Sequence, residues 1–174
     1  IQYGEGIIWH INDFLFKAPD TEDEAKSSVI RIISWNIGQK KEEPWNYLKE
    51  NVDIALLQEA TKPDISLPQD FAVIVNNNWT SAGYPARDYA TAIVQCSSGY
   101  SLEPIETSSL SEAKGESVPV SLPGTLALST LTSESFSPIT LVSVYVPSYI
   151  GGLGRKSRDG IDLMAHRIVS DITY

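Results

Sequence analysis

With 174 residues, the chain has the size of one domain or a large piece of one. Its 42% hydrophobic and 20% charged residues lie in the ordinary globular range, and no apolar run is long enough to span a bilayer. The formal net charge of -9, from 13 basic against 22 acidic residues, supplies no basic face for non-specific nucleic-acid binding, whereas an enzyme that holds a cation on carboxylates accommodates it.

Residues 1–17 mix glycine with apolar side chains. Ile7, Ile11 and Leu15 recur at helical spacing, which predicts a short helix or the tail of an upstream element. Residues 18–28 are polar, acidic and opened by Ala18-Pro19, as a linker is. The expected organisation is therefore an extension and linker over 1–28 and one domain over 29–174. No basic region with an apolar core and cleavage site opens the chain, so no signal peptide is read and a cytoplasmic location is the expectation. The chain starts at Ile1 rather than Met, which leaves upstream sequence, a removed signal included, open.

Residues 29–36 (VIRIISWN) are rich in β-branched side chains and predict a strand. Residues 42–50 predict a short helix, with Pro44 suited to its first turn and acidic residues complementing the helix dipole. Residues 53–59 (DIALLQE) predict a second strand, almost continuously apolar and so buried on both faces. Further strands are predicted over 71–76, 89–96, 125–131 and 139–146, with short edge strands and loops between 97 and 124. Cys96 is the lone cysteine, which excludes an internal disulfide and a cysteine-rich zinc site; it reads as a small core residue.

After Pro147, Gly151-Gly-Leu-Gly154 with Arg155, Lys156 and Arg158 reads as a mobile loop or a basic phosphate-facing one, without the spacing of a P-loop. A helix from about residue 160 carries an apolar stripe of Ile161, Met164, Ala165, Ile168 and Ile172. The chain ends inside it without a Gly or Asn cap, and Asp171 sits in its last turn, where the dipole disfavours an acid. The expectation is that the sequence continues, and that large apolar side chains lie uncovered on one side without the remainder.

Two predicted strands end on polar groups: Asn36 in Ser34-Trp35-Asn36-Ile37, and Glu59 in Leu56-Leu57-Gln58-Glu59. One helical crossover joins them, which makes the strands parallel and adjacent and sets the Asn36 amide beside the Glu59 carboxylate at one rim. One carboxylate and one amide oxygen suit a hard cation such as Mg²⁺. Capping of two strand ends is the structural alternative. Arg87-Asp88, ahead of the strand over 89–96, reads as a loop ion pair or as a contact to a substrate phosphate. His10 and His166 are the only histidines; one lies ahead of the domain and the other on a helix.

The ordered pair Ile-Ser-Trp-Asn36-Ile and Asp-Ile-Ala-Leu-Leu-Gln-Glu59-Ala resembles the opening of the endonuclease/exonuclease/phosphatase family. A third match, Leu141-Val-Ser-Val-Tyr145-Val-Pro-Ser148, resembles that family's strand-end motif carrying Tyr or His just before a Pro. The resemblance runs from about residue 29 to 174. It implies an α/β fold, a four-layer α-β-β-α sandwich of two mixed sheets that is incomplete in this chain. It implies Glu59 as ligand of Mg²⁺ or Mn²⁺ with Asn36 beside it, and Asn36 and Tyr145 as catalytic contacts to the phosphate. The family's Gly-Asp-x-Asn and Ser-Asp-His motifs are absent from these residues. The expected activity is hydrolysis of a phosphoester, in nucleic acid or a small molecule, completed by a missing C-terminal half; the alternative is a degenerate, non-catalytic binding module.

Overall fold

Seven residues, four of them isoleucine or tryptophan, make Ile30–Asn36 (β2) a strand with two apolar faces. The computed structural model describes residues 7–11, 30–75, 79–80, 87–112, 115 and 117–146. β2 is preceded by Ile7–Ile11 (β1) and followed by the helix Glu43–Asn51 (α1) and the strands Ile54–Ala60 (β3), Ala72–Val75 (β4) and Ala90–Gln95 (β5). Then come Ser101–Ile105 (β6), Thr107–Ser109 (β7), Val118–Val120 (β8), Leu126–Ser133 (β9) and Phe136–Val144 (β10). Among the described residues the fold is thus mixed α/β, mostly strand, with one helix and several sheets. No helix there is long and apolar enough to cross a membrane.

The main sheet has five strands in the order β1-β2-β3-β5-β4. β2 and β3 are parallel and in contact, with Asn36 opposite Gln58, as strands joined by the helical crossover α1 are expected to be. β1 pairs antiparallel with β2, with Ile7 opposite Ser34. The helical spacing over residues 1–17 is therefore misleading: an Ile-Ile-Trp-His-Ile run satisfies either period, and pairing with an open strand edge decides for the strand. That stretch adds an edge strand to the domain expected to begin at residue 29.

Helix α1 covers one face of this sheet. Trp45 and Leu48 lie three residues apart on its inner side and are fully buried with Ile33, Ala55, Leu57, Ala92 and Val94. Burial contributes about 2–3 kcal/mol for each of these two side chains. Pro44 sits in the first turn without needing an N–H donor, and Lys49 in the last turn complements the dipole. The other face packs on a three-stranded sheet, β10-β9-β6, through Ile32, Ile54, Ile93, Ala127, Leu131 and Leu141. β3 is therefore buried on both faces, as its apolar run predicts. Ile105, Val118, Val120, Leu126, Leu128 and Val144 form a smaller cluster on the outer side of the second sheet.

Large apolar side chains left exposed among the described residues are Tyr47 (39%) and Leu110 (62%). The expected one-sided row of uncovered apolar residues is not found there. The predicted helix from residue 160 and the loop Gly151–Gly154 lie outside the described residues.

At the start of β3, Asp53 is 8% exposed and receives the backbone N–H of Arg31 (2.8 Å) and two guanidinium bonds from the same residue (both 3.1 Å). Burial alone raises the Asp53 carboxyl, but the bonds from Arg31 outweigh it and hold it below the usual carboxylate range. A depressed acid contributes stability that is complete above its unfolded value near 3.8 and is lost as the pH falls through the lower folded value. Asp53→Asn is expected to cost about 2–3 kcal/mol at neutral pH, less than a fully buried pair because the Arg31 side chain is 42% exposed. Chemical denaturation at pH 7 and pH 3 checks this, with the gap between variant and wild type narrowing at the lower pH. Cys96 is buried as expected, and burial pushes its thiol up to about 12. It should resist thiol reagents until the protein unfolds.

Candidate active site

Alternation along β2 assigns its faces. Ile33, Trp35 and Ile37 belong to the cluster under α1, while Ile30 and Ile32 belong to the cluster between the sheets. Ser34 and Asn36 share the parity of Ile30 and Ile32, so Asn36 ends the strand on the inter-sheet side and is exposed. On β3, Ala55 and Leu57 face α1 and Ile54 and Leu56 face the second sheet. Simple alternation then sends Glu59 to the helix side, away from Asn36.

A bulge prevents this. Leu57 pairs with Ala92 and Ala60 with Ala90, so Gln58 and Glu59 together stand opposite Thr91. Glu59 has φ +49, the left-handed region that costs a non-glycine residue about 1–2 kcal/mol. Beyond the bulge Ala60 lies in the cluster under α1, and Glu59 comes close enough to the Tyr145 phenol for its charge to act on it. The turn after β2 holds this shape: Ile37 N–H donates to Gln58 O and Gln39 N–H to Glu59 O, both 3.0 Å. Gly38 within the turn has φ +57, a conformation that its missing Cβ makes accessible.

Tyr145 arrives from the second sheet, directly after β10. Its neighbour Ser143 donates to Leu57 O (3.1 Å) and accepts from the Gln58 amide (3.3 Å), and the same amide donates to Leu56 O (3.0 Å). The sheets are therefore stapled one residue before Glu59 and two before Tyr145. Tyr145 N–H donates to Thr125 O (2.8 Å), while Gly124 O accepts from Thr91 N–H (2.9 Å). These bonds bring Tyr145 over β5 and against Tyr89. The hydroxyls are 3.3 Å apart and the rings meet edge to face at 5.7 Å.

Arg87 completes the group. Its guanidinium donates to the Tyr89 hydroxyl and lies 5.6 Å from the Tyr89 ring centroid. Among the described residues it makes no ion pair with Asp88, the plainer of the two readings for that dipeptide. The bond to Tyr89 raises Arg87 further above its already high range. Burial, reinforced by the Glu59 charge, pushes the Tyr145 phenol well above the usual tyrosine value. Tyr145 therefore stays a neutral donor throughout the pH range in which an ordinary tyrosine ionises, and its own titration should not limit activity near pH 10. A pH–rate profile checks this.

The residues fit a hard cation. Glu59 is half-buried at the rim with two carboxylate oxygens, and Asn36 stands on the neighbouring strand end. The Asn36 Oδ1 accepts from Gly38 N–H (3.0 Å), which leaves it one free lone pair and aims the amide N–H₂ elsewhere. Among the described residues no three His, Cys, Asp or Glu gather as a metal cage. One carboxylate and one amide oxygen are enough for a cation that keeps most of its waters, as Mg²⁺ does.

Beside the rim a groove of about 440 Å³ is lined by Gln39, Lys41, Thr61, Lys62, Trp79 and Asp88, among others. Lys41 pairs with Asp64 (3.0 Å), and the Thr61 hydroxyl is buried without a hydrogen-bond partner. A second hollow, about 620 Å³, lies at the opposite end of the sheets between residues 98–101 and the β9–β10 hairpin. Its described lining offers only Glu134 and Tyr100 as titratable groups, which is little for catalysis.

The structure thus brings Asn36, Glu59 and Tyr145 to one rim. Tyr89, Gln58 and Ser143 escape the sequence reading, and the one signal for Tyr89 is its place between Arg87 and an apolar strand. His166 lies outside the described residues, and the side chain of His10 is not described. Comparison of the chain with protein-family models, curated proteins and solved structures finds no significant match.

Proposed function

We propose that the chain belongs to a divalent-metal-dependent phosphoester hydrolase of the endonuclease/exonuclease/phosphatase type. The observation that carries this reading is the bulge that turns Glu59 through a left-handed conformation toward Tyr145. A strand end that needed only a cap has no use for a strained carboxylate.

In this reading Glu59, with the Asn36 amide oxygen, holds Mg²⁺ or Mn²⁺. When bound, the cation neutralises the phosphate and the leaving oxygen. The Asn36 N–H₂, the Arg87 guanidinium and the Tyr145 hydroxyl donate to the non-bridging phosphate oxygens and fix the ester for in-line attack. None of the described residues is assigned as acceptor for the proton of the attacking water. The same reading implies a four-layer sandwich, of which the described residues supply α1 and the two packed sheets.

The test is hydrolysis of bis(p-nitrophenyl) phosphate by the full-length protein with and without Mg²⁺. Turnover that needs the metal and disappears with chelator is expected; no turnover at any metal concentration contradicts the enzyme and leaves a binding module. The groove with Lys41 and Lys62 is the place for the rest of a charged substrate. Lys41→Ala/Lys62→Ala is expected to raise KM for a polyanionic ester about three- to tenfold with kcat within about twofold, as steady-state kinetics will show.

A further inference from the structure

We propose that Tyr89 is a positioning residue for the Tyr145 hydroxyl, acting through a hydrogen-bond relay of one polarity that runs from Arg87 through Tyr89 and Tyr145 to the bound phosphate. The inference rests on the proposed role of Tyr145 as a donor to the phosphate.

The ends of the relay fix its direction. A guanidinium has only donors, so the Tyr89 oxygen accepts from Arg87. A non-bridging phosphate oxygen only accepts, so in the proposed complex the Tyr145 hydroxyl donates to it. Between them the two hydroxyl oxygens are 3.3 Å apart, and geometry alone leaves the donor open. If Tyr145 gave its one hydrogen to Tyr89, the phosphate would lose its donor. If Tyr89 gives its hydrogen to Tyr145, all three bonds form at once. The chain of dipoles then runs from a positive to a negative end, the arrangement in which neighbouring bonds polarise one another favourably.

The consequence is a Tyr145 hydrogen with one permitted direction. Its oxygen is occupied by Tyr89, so its hydrogen is left for a phosphate oxygen. Tyr89 is 5% exposed, and its ring meets the Tyr145 ring at 81°, so neither phenol is free to turn away. Arg87 is only part-buried and so keeps donors for a phosphate while it anchors Tyr89. Tyr89 itself has no place at the phosphate and works through Tyr145.

A double-mutant cycle on the full-length protein tests this, with bis(p-nitrophenyl) phosphate hydrolysis and inhibition by inorganic phosphate as the readouts. Tyr89→Phe keeps the ring contact and removes the hydroxyl. It is expected to lower kcat about tenfold in the wild-type background, with KM within about twofold, and less than about twofold in the Tyr145→Phe background. The phosphate inhibition constant, which involves no turnover, should show the same non-additivity. An equal factor in both backgrounds overturns the relay, because a loss of packing alone does not depend on the Tyr145 hydroxyl. If Tyr145→Phe by itself leaves kcat unchanged, the role assigned to Tyr145 falls and the relay with it, while a loss in Glu59→Gln still upholds the metal site. Should Tyr89→Phe fail to fold, Arg87→Gln at the part-buried end reads the same cycle. Its effect on kcat should shrink at least threefold when Tyr145 is already Phe, and an unchanged effect overturns the proposal.

Discussion

Glu59→Gln is expected to lower metal-dependent turnover by about 10²–10³-fold, the range found when one group that stabilises transition-state charge is removed. The amide keeps the shape of the side chain, but it has lost the charge that holds a cation. The fold should be untouched, because the bulge at residues 58–59 is set by backbone bonds from Ile37 and Gln39 and by the Gln58–Ser143 staple. Glu59→Gly sharpens the test. Glycine adopts φ +49 without penalty, so relief of strain offsets the added freedom of the unfolded chain. Its unfolding free energy should stay within about 1 kcal/mol of wild type while activity is lost. A Glu59→Gly protein that unfolds readily would assign the side chain a structural task instead.

Trp45→Ala is expected to carry the largest effect on stability, about 3–5 kcal/mol in chemical denaturation. Trp45 is fully buried and is the side chain through which α1 reaches Ile33, Leu57 and Val94. It also meets Trp79 edge to face at 6.1 Å. Its indole N–H has no hydrogen-bond partner, so truncation loses packing and transfer energy and no polar bond. The site should suffer less than the fold, because the staple between the sheets lies on the other face of β3. Near-normal kcat per folded molecule, with a strongly lowered Tm, is the expected pairing.

The strand–helix–strand unit was legible because its signals are local. β-branched residues over 30–36, Pro44 in a first turn and a doubly apolar run over 54–57 each speak for one element. Adjacency and the common rim of Asn36 and Glu59 then follow from the parallel strands that a helical crossover makes. The face that Glu59 occupies was not legible. A continuously apolar strand shows no alternation, and a bulge without glycine leaves no mark in the sequence. Tyr89 was hidden for another reason: its partner is 56 residues away, and only the packing of two sheets joins them. β1 misled through a short apolar run that either period explains, with the choice made by the open edge of β2.

The central claim is that Glu59, Asn36 and Tyr145 surround one cation and phosphate site. Paramagnetic broadening by Mn²⁺ in the ¹⁵N-labelled protein tests it most directly, since the effect falls steeply with distance and needs no substrate. Sub-stoichiometric Mn²⁺ is expected to broaden the amides of Asn36, Ile37, Glu59 and Tyr145, to spare Ser98 and Gly99 at the opposite end, and to lose this pattern in Glu59→Gln. Broadening centred elsewhere, or a pattern that survives in Glu59→Gln, would contradict the site.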